Sequence, residues 1–137
     1  MNLIATWLLL LGSGMGVGDD QPAPLTDVPG DPLAGAAVFV DRDTGHCITC
    51  HRIAGLEAAF QGNVGPDLTG IGSRRSAAYI RDRIMDPTRL NPDATMPGYF
   101  RSRDLRQVTP SDRGITLLTA QQIEDVVAYL MTLEEAQ

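Results

Sequence analysis

Two cysteines and two histidines lie within six consecutive residues, in the stretch HCITCH at positions 46 to 51. The chain contains no other cysteine or histidine among its 137 residues. These side chains bind transition metals, form disulfides and act as nucleophiles, so the cluster is the first candidate for chemistry. A bridge between Cys47 and Cys50 would close a very short loop, which constrains the unfolded chain little. A structural disulfide is therefore a weak explanation of the pair.

The spacing Cys-x-x-Cys-His separates the remaining alternatives. A structural zinc site uses four ligands, usually in two separated pairs, and the chain has no second pair. A thioredoxin-like redox pair belongs to a βαβ unit, for which the chain shows no strand pattern. Cys-x-x-Cys-His is the attachment signature of haem c. It predicts one covalently bound haem c, with thioether bonds from Cys47 and Cys50 and with His51 as an axial ligand of the iron. His46 is predicted to be a surface residue.

A six-coordinate iron needs a second axial ligand, and the remaining candidates are the methionines and His46, which the chain holds on the same side as His51. Met96 lies in the loop NPDATMPGYF between two prolines that stiffen the backbone. A rigid loop suits a weak thioether ligand, so Met96 is predicted to be the second metal ligand. Histidine and methionine ligation favours electron transfer and leaves no open site for a peroxidase or a gas sensor. The other methionines are assigned to the export signal or to helix packing: Met1, Met15, Met85 and Met131.

A glycine-rich segment, GNVGPDLTGIGSRR at positions 62 to 75, follows the cysteine motif. A ligating histidine commonly donates its free ring N–H to a carbonyl, which orients the ring. The Pro66 carbonyl is the predicted acceptor for His51, and Leu68 is predicted to cover the haem as an apolar lid. The alternative is an ordinary Gly-Pro turn with no such role.

The amino-terminal region is predicted to direct export. Residues 1–18 form a short apolar stretch followed by small residues, which is typical of a secretory signal peptide; a membrane anchor would need about 20 apolar residues. Residues 19–30 are predicted to be a flexible leader, and residues 31–137 a single cytochrome domain. The mature chain is therefore predicted to be exported. With a net charge of −6 and a sequence pI near 4.7, nucleic acid is not an expected partner.

Hydrophobic periodicity predicts three helices joined by long loops. The first spans about 32–41, the second 76–85, and the last begins at Thr119, which forms a capping box with Gln122. The positions predicted to face the core are Leu33, Ala36, Ala37 and Val40 in the first helix, Ala77, Ile80 and Ile84 in the second, and Ile123, Val126, Val127 and Leu130 in the last. The predicted fold class is all-α. Loops this long in a small domain require something else to organise them, and a large rigid cofactor would supply the missing core.

Several further residues follow a recognisable order along the chain. In sequence they are Gly35 and Phe39, Cys47-x-x-Cys50-His51, Gly65-Pro66-Asp67-Leu68, Met96-Pro97 and Val127-Ala128-Tyr129-Leu130. In this order they resemble the landmarks of the class I cytochrome c family. The resemblance implies an all-α fold in which the amino- and carboxy-terminal helices cross and the haem is wrapped by helices and long loops.

A closer resemblance covers the run GNVGPDLTGIGSRRSAAYIRDRIMDPTRLNPDATMPGYFR and the segment LTAQQIEDVVAYL. Both are similar to the SoxX family, the small monohaem subunits of SoxAX cytochromes. This resemblance implies a heterodimer with a SoxA-like cytochrome subunit that conjugates thiosulfate to a cysteine of a sulfur-carrier protein, with electrons leaving to a downstream acceptor cytochrome. Because both cysteines here would form thioethers, the S-thiosulfotransferase chemistry is expected on the partner. The alternative is a free-standing class I cytochrome c that shuttles electrons.

Two surface features are consistent with docking. Residues 98–118 are longer than a minimal class I cytochrome needs between its ligand and its last helix; they are predicted either to form a docking surface or to be a disordered insertion. Residues 74–106 contain eight of the 11 basic residues, all arginine. They are predicted either to form a basic patch that attracts acidic partners or to be an ordinary solvated face.

Overall fold

The computed structural model describes residues 22–135, and the regular structure in this part of the chain is helical. The α-helices are α1 (Pro32–Val40), α2 (Ile71–Arg74), α3 (Ala77–Met85) and α4 (Ala120–Met131), and single 3-10 turns occur at Cys47–Thr49, Pro87–Arg89 and Pro110–Asp112. No strand occurs between residues 22 and 135, as the predicted all-α class requires. The signal predicted for residues 1–18 lies outside the described residues.

Local capping determines where the helices begin. The Asp31 carboxylate accepts a hydrogen bond from the Leu33 amide at 2.8 Å, and proline at the next position already has a helical φ. At α4 the capping box is complete, with Thr119 and Gln122 each accepting from the other's amide. Because these interactions are local, the sequence predicted both bounds of α1 and α3 and the start of α4 to within about a residue. The single turn of α2 was missed.

The first and last helices cross in close backbone contact. A Cβ at Gly35 would lie only 1.9 Å from the Asp125 carbonyl oxygen, so α1 can approach α4 this closely only because residue 35 lacks a side chain. One turn later Phe39, which is 1% exposed, packs its ring edge-on against Tyr129 at a centroid distance of 5.7 Å. This crossing is the arrangement that the family resemblance implied.

The apolar stripe predicted for α1 is wrong. Leu33 is 81% exposed, Ala37 is also exposed, and the buried residues of the helix are Gly35 and Phe39. All nine residues of α1 are apolar, so no polar side chain marks the solvent face and periodicity cannot identify the buried one. Close backbone approach at the glycine, rather than side-chain size, decides which face is inside.

The flexible leader predicted for residues 19–30 is, over its described part, bound to the helices. The Leu25 amide donates to the Glu124 carboxylate at 2.9 Å, and the Thr26 hydroxyl donates to Gln121 at 3.0 Å. The Pro22 carbonyl accepts from Arg81 at 3.1 Å. Side-chain acceptors on α4 therefore order a segment whose composition alone suggested disorder.

A buried ion pair joins α3 to α4 beneath this segment. Arg81 donates through two nitrogens to the two carboxylate oxygens of Glu124, at 2.7 and 2.8 Å, and both side chains are less than a tenth exposed. Burial alone would raise the pKa of Glu124, but the Arg81 hydrogen bonds, the Leu25 amide and the Arg81 charge together lower it. A paired and fully bonded carboxylate of this kind is costly to break by removing one partner.

The apolar part of the core draws on α1, α3 and α4. Most predicted inward positions of α3 and α4 are buried: Ile80, Ile84, Ile123, Val126, Val127 and Leu130. Ala77, also predicted to face inward, is partly buried against them. Loop residues complete it: Ile48, Ile53, Tyr99 and Leu118. Between residues 22 and 135, none of the helices has the length and apolar character to span a bilayer.

Candidate functional site

The cysteine motif begins in a single 3-10 turn. The amides of Cys50 and His51 both donate to the Cys47 carbonyl, at 3.1 and 2.9 Å, which closes the turn around the motif. The two cysteines and the histidine are thereby held within one tight turn. Cys47 and Cys50 are not joined by a disulfide, and both are partly buried. His46, before the turn, is exposed, as predicted for a surface residue.

The His51 ring is oriented by a proline carbonyl. Nδ1 of His51 lies 2.9 Å from the carbonyl oxygen of Pro66. A carbonyl oxygen only accepts, so Nδ1 must carry the proton and Nε2 must present its lone pair. This hydrogen bond is the one predicted from the sequence, and it selects the tautomer that a metal-ligating imidazole requires. The assignment of His51 as an iron ligand stays a prediction.

Gly65 makes room for the same ring. A Cβ at this position would lie 2.4 Å from Cε1 and 2.6 Å from Nδ1 of His51, well inside contact distance. The Gly65 amide also donates to the Cys50 carbonyl at 2.9 Å, which fixes the loop beside the motif. Glycine at residue 65 is therefore required by the position of the imidazole, a role the sequence did not reveal beyond marking a loop.

A set of hydrogen bonds ties the 61–69 loop to the residues after the motif. The Leu68 amide donates to the Arg52 carbonyl at 2.8 Å, and the side chain of Arg52 pairs with Asp67 at 3.0 Å. Leu68 itself is partly buried and packs against the core. Its assignment as a lid on the haem stays a prediction. These contacts place Cys47, Cys50, His51, Pro66 and Leu68 in one continuous region.

The Cys47 sulfur is poorly suited to be a nucleophile. Burial raises the pKa of the Cys47 thiol to about 12, so the side chain is a neutral thiol near pH 7. Reactive cysteines have the opposite environment, electropositive and accessible, which lowers the thiol pKa. The environment of Cys47 therefore argues against thiol catalysis, and its place within one turn of a second cysteine and an oriented imidazole fits attachment of a porphyrin.

Met96 lies in the loop that follows α3. The loop is held at its far end, because the amides of Tyr99 and Phe100 donate to the carbonyls of Ile84 and Met85 at 3.0 and 3.1 Å. Met96 is half-buried and packs against the core, as do Met85 and Met131. Burial therefore does not distinguish the three methionines, and the assignment of Met96 as the second axial ligand stays a prediction.

The residues present fit a covalently bound haem. The motif supplies two sulfurs for thioether bonds and an imidazole in the correct tautomer, and Gly65 leaves the room that the imidazole ring occupies. Within residues 22–135, the His, Cys, Asp and Glu side chains form no group of three or more that could hold a metal ion.

Ion pairs with carboxylates reduce the free positive charge of the basic patch predicted for residues 74–106. Within the described chain, Arg81 is buried and the ion pairs of this region are Arg74–Glu135, Arg81–Glu124, Arg89–Asp82 and Arg101–Asp86. Arg75 and Arg83 instead lie over the Tyr79 ring, at 5.0 and 5.4 Å from its centroid. Two of the four acidic partners, Glu124 and Glu135, come from other parts of the chain, so counting charges within residues 74–106 overestimated the free positive charge.

The sequence model of the cytochrome c family matches residues 33–134. Among solved structures, the chain is similar to a chain in the crystal structure of SoxXA from P. pantotrophus, with 32% sequence identity and a TM-score of 0.77. That match covers 83% of this chain and 89% of the other. A search of curated proteins gave no match.

Proposed function

Because this chain belongs to the cytochrome c family, we propose that it is the electron-transferring haem subunit of a SoxAX-type complex that acts in thiosulfate oxidation. The observation that carries the proposal is its similarity to the SoxXA structure, at 32% identity over 89% of that chain. Agreement over most of both chains is what a subunit of the same kind requires. The position and tautomer of His51 support the haem chemistry independently.

The cofactor is one haem c, bound covalently. Cys47 and Cys50 would hold it through thioether bonds, and His51 and Met96 would ligate its iron. When bound, this haem supplies a one-electron couple, and histidine and methionine ligation raises its reduction potential. The Pro66 carbonyl keeps the proton on Nδ1 of His51, so that the Nε2 lone pair would be free to ligate the iron.

The chain itself has no group to carry sulfur. Both cysteines would be thioethers in the mature protein, and the chain contains no third cysteine. A SoxA-like subunit would therefore perform the S-thiosulfotransferase step on the cysteine of a sulfur-carrier protein. This chain would accept the released electrons one at a time and pass them to a downstream acceptor cytochrome. All of this would take place in the periplasm after cleavage of the predicted signal.

Purification of the native protein from a periplasmic extract tests the proposal. We expect it to elute with a larger cytochrome that carries an additional, active-site cysteine, and to be heavier than its mature polypeptide by the mass of one haem. Isolation as a monomer that exchanges electrons freely would instead support a free-standing class I cytochrome c. A mature mass without haem would contradict both functions.

Substitution of the methionines tests the axial ligand. Met96→Leu keeps the side-chain volume but removes the thioether, so the weak far-red absorption band of methionine-ligated ferric haem should disappear. Met85→Leu is the matched control, because Met85 also packs half-buried against the core and should be dispensable for ligation. A band that survives Met96→Leu and disappears in Met85→Leu would reassign the ligand.

A further inference from the structure

Tyr99 connects the two loops that carry the predicted haem ligands. It follows Met96 by three residues, is only 5% exposed, and donates its hydroxyl proton to the Gly45 carbonyl at 2.9 Å. Gly45 lies two residues before Cys47, in the segment that enters the cysteine motif. The bond therefore spans 54 residues and joins the Met96 loop to the Cys47 turn.

Tyr99 is fixed through its backbone as well. Its amide donates to the Ile84 carbonyl at the end of α3, and its carbonyl accepts from the Leu118 amide just before α4, both at 3.0 Å. The main chain is thus anchored on both sides, and burial leaves the ring little freedom to move. Tyr99 therefore links Gly45, through its hydroxyl, to Ile84 in α3 and to Leu118 before α4.

The Gly45 carbonyl depends on this hydroxyl. The Cys47 thiol is a second donor to the same oxygen, with its sulfur at 3.5 Å. A thioether sulfur has no hydrogen, so in the haem-bearing protein the Cys47 contact is no longer a hydrogen bond. Gly45 is buried, and a buried carbonyl that loses its donor is unfavourable. The Tyr99 hydroxyl is then the side-chain donor that holds this carbonyl in place.

We propose that Tyr99 is a positioning residue that locks the Met96 loop to the Cys47 turn and so holds the Met96 sulfur in place as a ligand. The inference rests on the proposed function, in that it takes Met96 as the axial ligand. A thioether is a weak ligand, and the protein must restrain the loop for the bond to persist. Tyr99 restrains the loop on the carboxy-terminal side of Met96, and Pro92 stiffens it on the amino-terminal side.

Tyr99→Phe removes only the hydroxyl and tests the proposal in the ferric holoprotein. Imidazole, titrated as an external ligand, must displace Met96 and move its loop. Leaving a buried carbonyl without its donor corresponds to about a tenfold change in an equilibrium constant, so imidazole should bind Tyr99→Phe about tenfold more tightly than wild type. The far-red methionine band should also be lost at a lower temperature.

Tyr79→Phe is the matched control. Its hydroxyl accepts from Arg83 at 3.2 Å on α3, away from the motif, so imidazole affinity and the far-red band should both stay at wild-type values. Thermal unfolding followed by the helical circular dichroism signal is measured in parallel. A purely structural role for Tyr99 would lower that midpoint without changing imidazole affinity at a temperature where all variants are folded.

The outcomes separate this inference from the proposed function. A wild-type protein without the far-red band would overturn Met96 ligation and this inference with it. A wild-type band together with equal imidazole affinities for wild type and Tyr99→Phe would overturn the role of Tyr99 alone. If Tyr99→Phe fails to fold, wild type labelled with 3-fluorotyrosine replaces it in the test. The fluorinated hydroxyl is a stronger donor, so the labelled protein should bind imidazole more weakly than unlabelled wild type. Unchanged imidazole binding would overturn the role of Tyr99.

Discussion

The α1–α4 crossing and the loops around the cysteine motif are held together by different kinds of contact. The crossing combines close backbone approach at Gly35, a buried aromatic pair and, beside it, the buried Arg81–Glu124 pair. The loops around His51 are held by individual hydrogen bonds between partly or fully exposed residues. Examples are the bond between His51 and the Pro66 carbonyl and the ion pair between Arg52 and Asp67.

The difference shows which part of the molecule the polypeptide can organise alone. Contacts at the crossing exclude water and are made by regular helices, so their stabilisation is large and collective. Contacts in the loops are polar and open to solvent, where each contributes little net free energy. We expect the covalent cofactor to contribute to the order of the loops and the helices to fold around their own core.

Breaking the buried pair should have the largest effect. Glu124→Ala leaves the Arg81 guanidinium buried without its partner and removes the acceptor of the Leu25 amide. The free energy of unfolding should fall by about 3–5 kcal/mol, measured by urea denaturation. Glu135→Ala breaks the exposed pair with Arg74 and is the matched control, for which almost no change is expected. Equal losses in both variants would show that burial does not set the strength of the pair.

A substitution in the loops should change ligation more than stability. In Gly65→Ala the new Cβ overlaps the His51 ring, so the ring must turn and lose its hydrogen bond to Pro66. Loss of an orienting partner typically lowers metal affinity by about ten- to a hundredfold, so external cyanide should replace a protein ligand at correspondingly lower concentration. Ala59→Gly, at an exposed position of the neighbouring loop, should behave as wild type. A Gly65→Ala protein with wild-type spectra and cyanide affinity would contradict this role of the glycine.

Acidification should weaken the contact between α3 and α4 through Glu124. The folded-state pKa of Glu124 is lowered from its ordinary value of 4.5, so its contribution is fully present above that pH and is lost as the pH falls through the lowered value. The urea midpoint of wild type should therefore drop between neutral pH and the acid side of 4.5. Glu124→Gln, already less stable at neutral pH, should show a smaller drop, and an identical drop would assign the acid sensitivity to other carboxylates.

Local sequence determined the features that depend on a few neighbouring residues. Asp31 before proline and the Thr119–Gln122 box specify where helices begin, because a cap needs only the next three residues. The spacing of Cys47, Cys50 and His51 indicated the cofactor, because attachment chemistry requires that order within one turn. The His51–Pro66 contact spans 15 residues and was predicted from chemistry instead, because a ligating histidine commonly donates to a carbonyl.

Tertiary structure decided the features that depend on residues far apart. Nothing in the all-apolar sequence of α1 identifies Gly35 and Phe39 as its buried face until α4 lies against it. The partner of Arg81 is 43 residues away, and the acceptor of the Tyr99 hydroxyl is 54 residues away. Composition and periodicity record what each segment prefers by itself. Which segments meet is determined by packing, because only the folded chain removes these charged and polar groups from water and so requires each to have a partner.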